Sequence, residues 1–469
     1  MTEFESKLSA VLEKSVSGFQ RLAGWKRLSG GASQETYRIE IETEGGGRVL
    51  AMRRAAGGLP GEGAGPGPGL EVEASLFRVA RAAGVPEPEI VYVLEEGDGL
   101  GPAFLMEWLE GETVGSRILK SAALEGVRPR LAFECGEVLA RIHQIDPVAT
   151  GLDRKLVTVS PESFVREVWE QYQSFGTSLP MIDYTARWLL DHLPEPSPAA
   201  LVHNDFRNGN LMVSEQGIVA VLDWELAHLG DPVRDLGWIC TNSWRFGRSE
   251  LPVGGFGHRE DLLDGYEEVS GRRISVSHLR FWEVFGSFWW SAMSLLMAFG
   301  WRNGVDRTVE RPGIARRSSE CQVDCANLII PGPVSLVEEA SARSSLDMPR
   351  VDELLVSVRD FLREDARAGL EGRNAFLALV ASNSLDIVQR ELTLGPAHLD
   401  AEQARLRALL GSEEPLGDLR DRLCAGLRSG EMLLDHPGLA EHLRLTVANQ
   451  LAIDQPRYSG LEVALAGGA

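Results

Sequence analysis

The chain has 469 residues, 44% hydrophobic and 25% charged, the balance of a folded globular protein long enough for two or three domains. Its 47 Lys+Arg against 68 Asp+Glu leave a net charge of −21, which repels phosphate backbones and anionic lipid. Nucleic acid and membrane are therefore not expected partners.

Phe4, Leu8, Val11, Leu12, Phe19 and Leu22 follow a helical spacing and predict one amphipathic N-terminal helix. The string LSGGASQET predicts a turn, and residues 37–41 alternate as a strand does. A Gly45-Gly46-Gly47 turn leads to a second strand over residues 48–54 (RVLAMRR). Residues 57–69 hold seven Gly and three Pro in thirteen positions and predict a flexible loop. A helix follows over 70–83, with Leu76, Val79, Ala80 and Ala83 on one face, then strands over 90–94 and 103–108. The first ~110 residues thus predict a mainly antiparallel sheet carrying one helix.

Beyond Glu110 the pattern is helical. Leu131, Cys135, Val138, Leu139 and Ile142 share a face, and His143 behind them predicts a core or capping histidine. Residues 284–301 carry no charge over 18 positions, the length of a membrane span. Three serines, two glycines and the flanking Arg280, Glu283 and Arg302 favour a buried helix instead. All eleven tryptophans lie at or before Trp301, and the last 168 residues read as Leu- and Arg-rich helices. The Pro-, Gly- and Ser-containing stretch 331–348 is the expected linker. This divides the chain into 1–109, 110–330, the linker, and an all-α accessory domain over 349–469 of four or five helices. That linker has few apolar residues, so the accessory domain is expected to be separable; docking, homo-oligomer formation and partner binding are all open to it.

Five cysteines, with Cys321 and Cys325 four apart and no second pair nearby, predict buried thiols, not a disulfide framework or a zinc site. The first residues lack a basic start followed by an apolar run, so the expected compartment is the cytoplasm.

The helices are interrupted by LVHNDFRNGNLMVSEQGIVAVLDWE, where two short apolar runs flank the turn Ser214-Glu215-Gln216-Gly217. If Val213 pairs with Ile218, Asn210 faces Val221, and Asp223 projects to the same side at about 7–8 Å on the diagonal. An amide oxygen and a carboxylate so placed suit Mg²⁺, which also takes phosphate oxygens. Asp205 lies five residues before Asn210 in the spacing H-x-D-x-x-x-x-N, where a carboxylate can accept a hydroxyl proton during attack on phosphorus.

These segments resemble the catalytic and metal-binding motifs of the aminoglycoside phosphotransferase/choline kinase-like superfamily. LSGGASQETYRI resembles its nucleotide loop, AFLMEWLEG its inter-lobe hinge and HLGDPVRDLGW its helix after the metal loop. The resemblance covers residues 4–301. GGASQETY and AMRR look most like the kinase-type domains associated with acyl-CoA dehydrogenases. It implies an α+β, bilobal protein-kinase-like fold, with ATP and Mg²⁺ as cofactors. It implies Asp205 as catalytic base and Asn210 and Asp223 as metal ligands. It places Gly30, Gly31 and Ser33 over the phosphates, and Glu107, Trp108 and Leu109 against adenine. Glu225 is either a support for a second metal or solvent-facing, and His203 holds the loop. Asp231 is expected as a helix cap, and Asp235 as an ion-pair partner of Arg234 or of an arginine in the catalytic loop.

One departure stands out. The superfamily commonly holds the α- and β-phosphates with a lysine, yet no lysine lies between Lys26 and Lys120. Arg53 is the expected substitute and Arg54 the alternative by strand parity; Glu73 is the expected helix partner, with Glu71 second.

Two function classes follow. One is an ATP-dependent kinase acting on a hydroxyl of a small molecule, with GTP not excluded. The other is a non-catalytic nucleotide-binding or scaffold module. The aromatic stretch 238–301 favours an apolar or acyl-bearing alcohol over an aminoglycoside or amino alcohol.

Overall fold

The computed structural model describes residues 2–28, 34–58, 67–338 and 349–467. Helix α1 (Glu3–Ser15) opens on a Thr2/Glu5 capping box and buries Leu8, Val11 and Leu12. It ends there, because Val16 is extended and Gly18 adopts φ +68°. Phe19 and Leu22, expected on the helix stripe, therefore lie on the first strand.

Strands β1 (Phe19–Arg27), β2 (Gln34–Thr43), β3 (Gly46–Ala55), β4 (Ile90–Val93) and β5 (Ala103–Glu107) form an antiparallel sheet in the order β1-β2-β3-β5-β4. Helix α2 (Leu70–Ala82) crosses between β3 and β4. Strand parity divides the sheet. Leu50, Met52 and Leu105 pack with α1 in one core, whereas Ala51, Phe104 and Met106 pack with α2 in another. Arg53 has the parity of Ala51, and Arg54 that of Met52.

The helical lobe contains α3 (Gly115–Lys120), α4 (Leu131–His143), α5 (Pro147–Thr150), α6 (Pro161–Ser174) and α7 (Pro180–Asp191). Two short pairs interrupt it: β6 (Ala200–Val202) with β9 (His228–Gly230), and β7 (Leu211–Ser214) with β8 (Gly217–Val221). The β6–β9 pair had no sequence signal, since three residues are too few to show alternation. Helices α8 (Val233–Cys240), α9 (Arg259–Ser270), α10 (Val276–Arg302), α11 (Glu310–Arg316) and α12 (Ser318–Ile329) complete the lobe. By length and composition α10 could cross a membrane. Within this fold, however, it buries Phe281, Trp282, Phe285 and Phe288, and its Glu283 pairs with Arg245 and Arg259 at 2.6 and 2.8 Å.

The last helices are α13 (Val351–Phe361), α14 (Gly372–Leu410), α15 (Leu416–Ser429), α16 (Leu439–Asp454) and α17 (Ser459–Leu465). They share a core with the preceding lobe: Leu419, Leu423, Leu443 and Val447 belong to the same buried cluster as Leu139, Phe285 and Val323. Arg428 meets Asp183 at 2.8 Å, the Tyr458 hydroxyl donates to Asp324 at 2.6 Å, and Arg444 donates to the Ile330 carbonyl at 2.8 Å. The start of the expected linker is bound as well, with the Val337 amide donating to Asn449 at 2.7 Å. The two parts are thus connected by a side-to-side apolar seam as well as by the sparse linker, which the linker composition did not indicate. All five cysteines are free and buried.

Candidate active site

The site is assembled where β3, α2 and the two β-pairs converge. On β3, Arg53 faces α2: its Nη1 lies 3.1 Å from Glu73 Oε1 and its Nη2 2.5 Å from Asp223 Oδ1. Its Nε donates to Gln34 Oε1. Arg54 faces the other way, donating to the Leu100 carbonyl at 2.6 Å and to Glu35 at 3.3 Å. Gln34, which also donates to Glu73 at 3.3 Å, was missed from sequence. Strand parity could have found it, since it lies two residues from Thr36, which pairs directly with Arg53.

Burial pushes the Glu73 carboxyl up to about 7 against the pull of Arg53, with Asp223 and Glu225 adding to the rise. Burial works against the Arg53 charge, but Glu73 and Asp223 together hold it more firmly protonated than usual. Glu225 thus belongs to the field of this cluster.

The hairpin register differs from expectation by one residue. Val213 does pair with Ile218, but a bulge between Met212 and Val213 places Leu211 opposite Val221. Asn210 therefore meets Leu222, whose amide donates to its carbonyl at 2.8 Å. Asp223 is aimed by a left-handed backbone, φ 70°, and not by the pleat. The close approach of Gly67 to this turn needs a glycine, because a Cβ there would lie 2.1 Å from the Glu225 carbonyl oxygen.

Asp205 is held from three sides. Its Oδ1 accepts from Trp238 Nε1 at 2.8 Å and Arg207 Nε at 2.9 Å; its Oδ2 accepts from Asn210 Nδ2 at 2.6 Å. A carboxylate only accepts here, so the Asn210 nitrogen must face Asp205, which turns Oδ1 of the amide elsewhere as an oxygen donor to a cation. His203 Nδ1 accepts from the Asp205 amide at 3.2 Å, so its Nε2–H donates to the Leu222 carbonyl at 3.1 Å. Burial lowers its pKa and keeps this tautomer neutral. His203 ties the two loops together.

Asp235 is placed differently from expectation. It accepts from the backbone amides of His203 at 2.8 Å and Asn204 at 2.7 Å, and its side-chain partner is His143 Nε2 at 3.1 Å. The amides of a bent loop (Asn204 has φ 68°) need an acceptor once buried, and Asp235 supplies it. Its carboxyl is held below the usual range: burial opposes the charge, but His143 and these amides outweigh it. Asp231 caps α8 through the Val233 amide at 3.0 Å, as expected.

An aromatic wall adjoins Asp205. Arg207 lies 4.3 Å over the Trp244 ring, and Trp238 meets Trp244 and Trp289 edge-on, both at 5.0 Å. Trp282 is core, whereas Trp289 and Trp290 are half-buried. Arg207 was missed because a lone arginine in a loop carries no periodicity.

The expected hinge residues Glu107, Trp108 and Leu109 end β5. The Glu107 amide donates to the Glu89 carbonyl at 2.8 Å. Gly30, Gly31 and Ser33 lie outside the described residues. Among the described residues no group of three or more His, Cys, Asp or Glu forms a metal cage. The oxygen pair Asn210 and Asp223 fits Mg²⁺ in the way it binds with phosphate, where water and phosphate complete the shell.

Residues 24–271, more than half of the chain, match the Phosphotransferase enzyme family, and residues 368–458 match a Domain of unknown function (DUF6285). The chain is 34% identical over 223 residues to acyl-CoA dehydrogenase family member 10 of Mus musculus, covering 45% of this chain and 19% of the relative. It is 28% identical over 325 residues to acyl-CoA dehydrogenase family member 11 of Rattus norvegicus, covering 63% and 39%. The chain thus spans well under half the length of these relatives. A solved structure from Ralstonia eutropha, described as "a putative aminoglycoside phosphotransferase", shares the fold at TM-score 0.55 and 22% identity, covering 68% of this chain and 95% of its own. With that fold and a family match across both lobes of the cleft, this chain belongs to the phosphotransferase enzyme family.

Proposed function

We propose that the protein is an ATP-dependent kinase that phosphorylates a hydroxyl group of a small molecule with an apolar body. The observation that carries the reading is the bonding of Asn210 to Asp205 and of Arg53 to Asp223, two pairs tied by the Leu222 amide on the Asn210 carbonyl. Asn210 and Asp223 would hold Mg²⁺, which when bound would neutralise charge on the phosphates. Asp205 accepts the proton of the attacking hydroxyl, and Trp238, Arg207 and Asn210 fix the orientation of its carboxylate. Arg53, oriented by Glu73 and Gln34, binds phosphate oxygens with its planar fork.

The aromatic wall supports an apolar or acyl-bearing alcohol. The only carboxylate of α10, Glu283, is neutralised by Arg245 and Arg259, so it offers nothing to a polycationic aminoglycoside. The names of the mouse and rat relatives agree with an acceptor from acyl-thioester chemistry, such as a hydroxyacyl thioester. The test is Mg²⁺-dependent ADP release by the full chain across hydroxyacyl thioesters, simple alcohols and aminoglycosides. Release above the Asp205→Ala background with the first class supports the reading. Nucleotide binding without turnover on any alcohol would mark a non-catalytic module instead.

A further inference from the structure

A cavity of about 220 Å³, which Asp205 does not line, lies in the seam where α14 and α16 pack on α7, α10 and α12. His398 on α14 and His442 on α16 line it; they are 1% and 2% exposed, and none of their four ring nitrogens has a hydrogen-bond partner. Such atoms are rare in a folded interior unless something meets them. The nearest carboxylate does not. Both oxygens of Glu402 are taken by Arg420, at 2.7 and 2.5 Å, which leaves His398 at 3.9 Å.

The polar groups nearby are engaged as well, except that the buried Nε of Arg405 has no acceptor. Arg316 meets Asp454 at 2.7 Å and Arg405 donates to Thr446 at 3.1 Å, while Ser318 is bonded to Ser291 and Gln322 at 2.9 and 3.2 Å. Leu179, Met181, Leu295 and Val447 supply an apolar side. Burial pushes the His442 imidazole down to about 4 and lowers that of His398. Each ring is then neutral at neutral pH and presents one N–H and one lone pair. Two donors and two acceptors beside an apolar wall match a group that both gives and takes hydrogen bonds. A carboxylate would need donors alone, and an ammonium acceptors alone.

We infer that this seam is a binding site for a small uncharged molecule carrying an amide or hydroxyl group on a short apolar body. The volume falls below that of drug-sized ligand sites, which limits the occupant to a compact one. Leu295 of the cavity lies on α10, the same helix that carries Trp289 and Trp290 to the aromatic wall, so the site adjoins the element that borders the cleft.

The test is titration of the ¹⁵N-labelled full chain with isobutyramide, isobutyrate and isobutylammonium, read on the imidazole nitrogens. The expected result is a saturable shift of His398 and His442 with isobutyramide alone, both rings staying neutral. Leu295→Phe narrows the cavity without touching either ring and should weaken binding, as should His442→Phe, by roughly threefold to tenfold for a lost neutral hydrogen bond. Thermal unfolding shows whether each variant is folded. Preferred binding of isobutyrate or isobutylammonium would overturn the assigned chemistry. Absence of any saturable shift would reduce the cavity to a solvent-filled gap.

Discussion

Arg53 and Asp223 are joined by a direct bond, Nη2 to Oδ1 at 2.5 Å, across 170 positions of sequence. The guanidinium thus spans the cleft from β3 to the metal loop, with Glu73 on its other arm at 3.1 Å. A lysine ammonium is a point charge on a flexible stem, whereas this fork orients two carboxylates at once.

Arg53→Ala should therefore lower ATP affinity by roughly 10- to 100-fold, the scale of lost charge-assisted hydrogen bonds, while Arg54→Ala changes it little. Arg53→Lys should retain partial activity with a higher ATP requirement. Calorimetric ATP affinities of the two alanine variants, measured side by side, decide the matter; a larger loss at Arg54 contradicts the assigned roles.

Asp205→Ala should reduce turnover by roughly 10²–10⁴ while nucleotide affinity is retained. The truncation leaves the N–H groups of Trp238, Arg207 and Asn210 without their acceptor, so about 1–3 kcal/mol of stability should go as well. Single-turnover kinetics with denaturant unfolding separates the two losses.

Asn210→Ala and Asp223→Asn should each raise the Mg²⁺ concentration needed for half-maximal activity. Asp223→Asn also loosens Arg53, so its ATP affinity should fall further than that of Asn210→Ala. Equal and unchanged metal dependence in both would remove the pair from the metal site.

At the seam, burial raises the Asp324 carboxyl to about 7, although Tyr458 and Asn242 donate to it at 2.6 and 2.8 Å. The folded chain then holds a proton there that the unfolded chain releases near pH 4. Stability from this group is complete below that pH and is lost as pH rises through 7. Asp324→Asn should gain stability relative to the native chain between pH 4 and about 8, then stay level. Thermal unfolding across that range, with a flat difference, would contradict the assignment.

A chain ending at Val334 should expose the apolar faces of α7, α10 and α12 and lose solubility. Within the full chain, Leu443→Ala should cost about 2–5 kcal/mol, the range for a buried leucine. A soluble, cooperatively unfolding truncation would return the accessory helices to the status of an independent domain.

How much of this was legible beforehand differs from element to element. The short apolar run of β3 and the helical stripe of α2 are local patterns, so sequence alone determined the small sheet lobe; it left Arg53 and Arg54 as alternatives, and packing against α2 decided between them. The strings around His203 and Asp223 likewise placed Asp205, Asn210 and Asp223 in one segment, because a hairpin joins them over few residues. The hairpin register was not legible: a bulge inserts one residue, and neither Met212 nor Val213 announces it. Nor was the partnership of Asp235 with the His203 and Asn204 amides, which depends on how a loop buries its own backbone. The seam is the clearest case. Leu419, Leu443, His398 and His442 sit on helices whose stripes show only that each must pack against something. The tertiary structure alone decided that this something is the preceding helical lobe, because apolar burial is non-directional and a stripe does not name its partner.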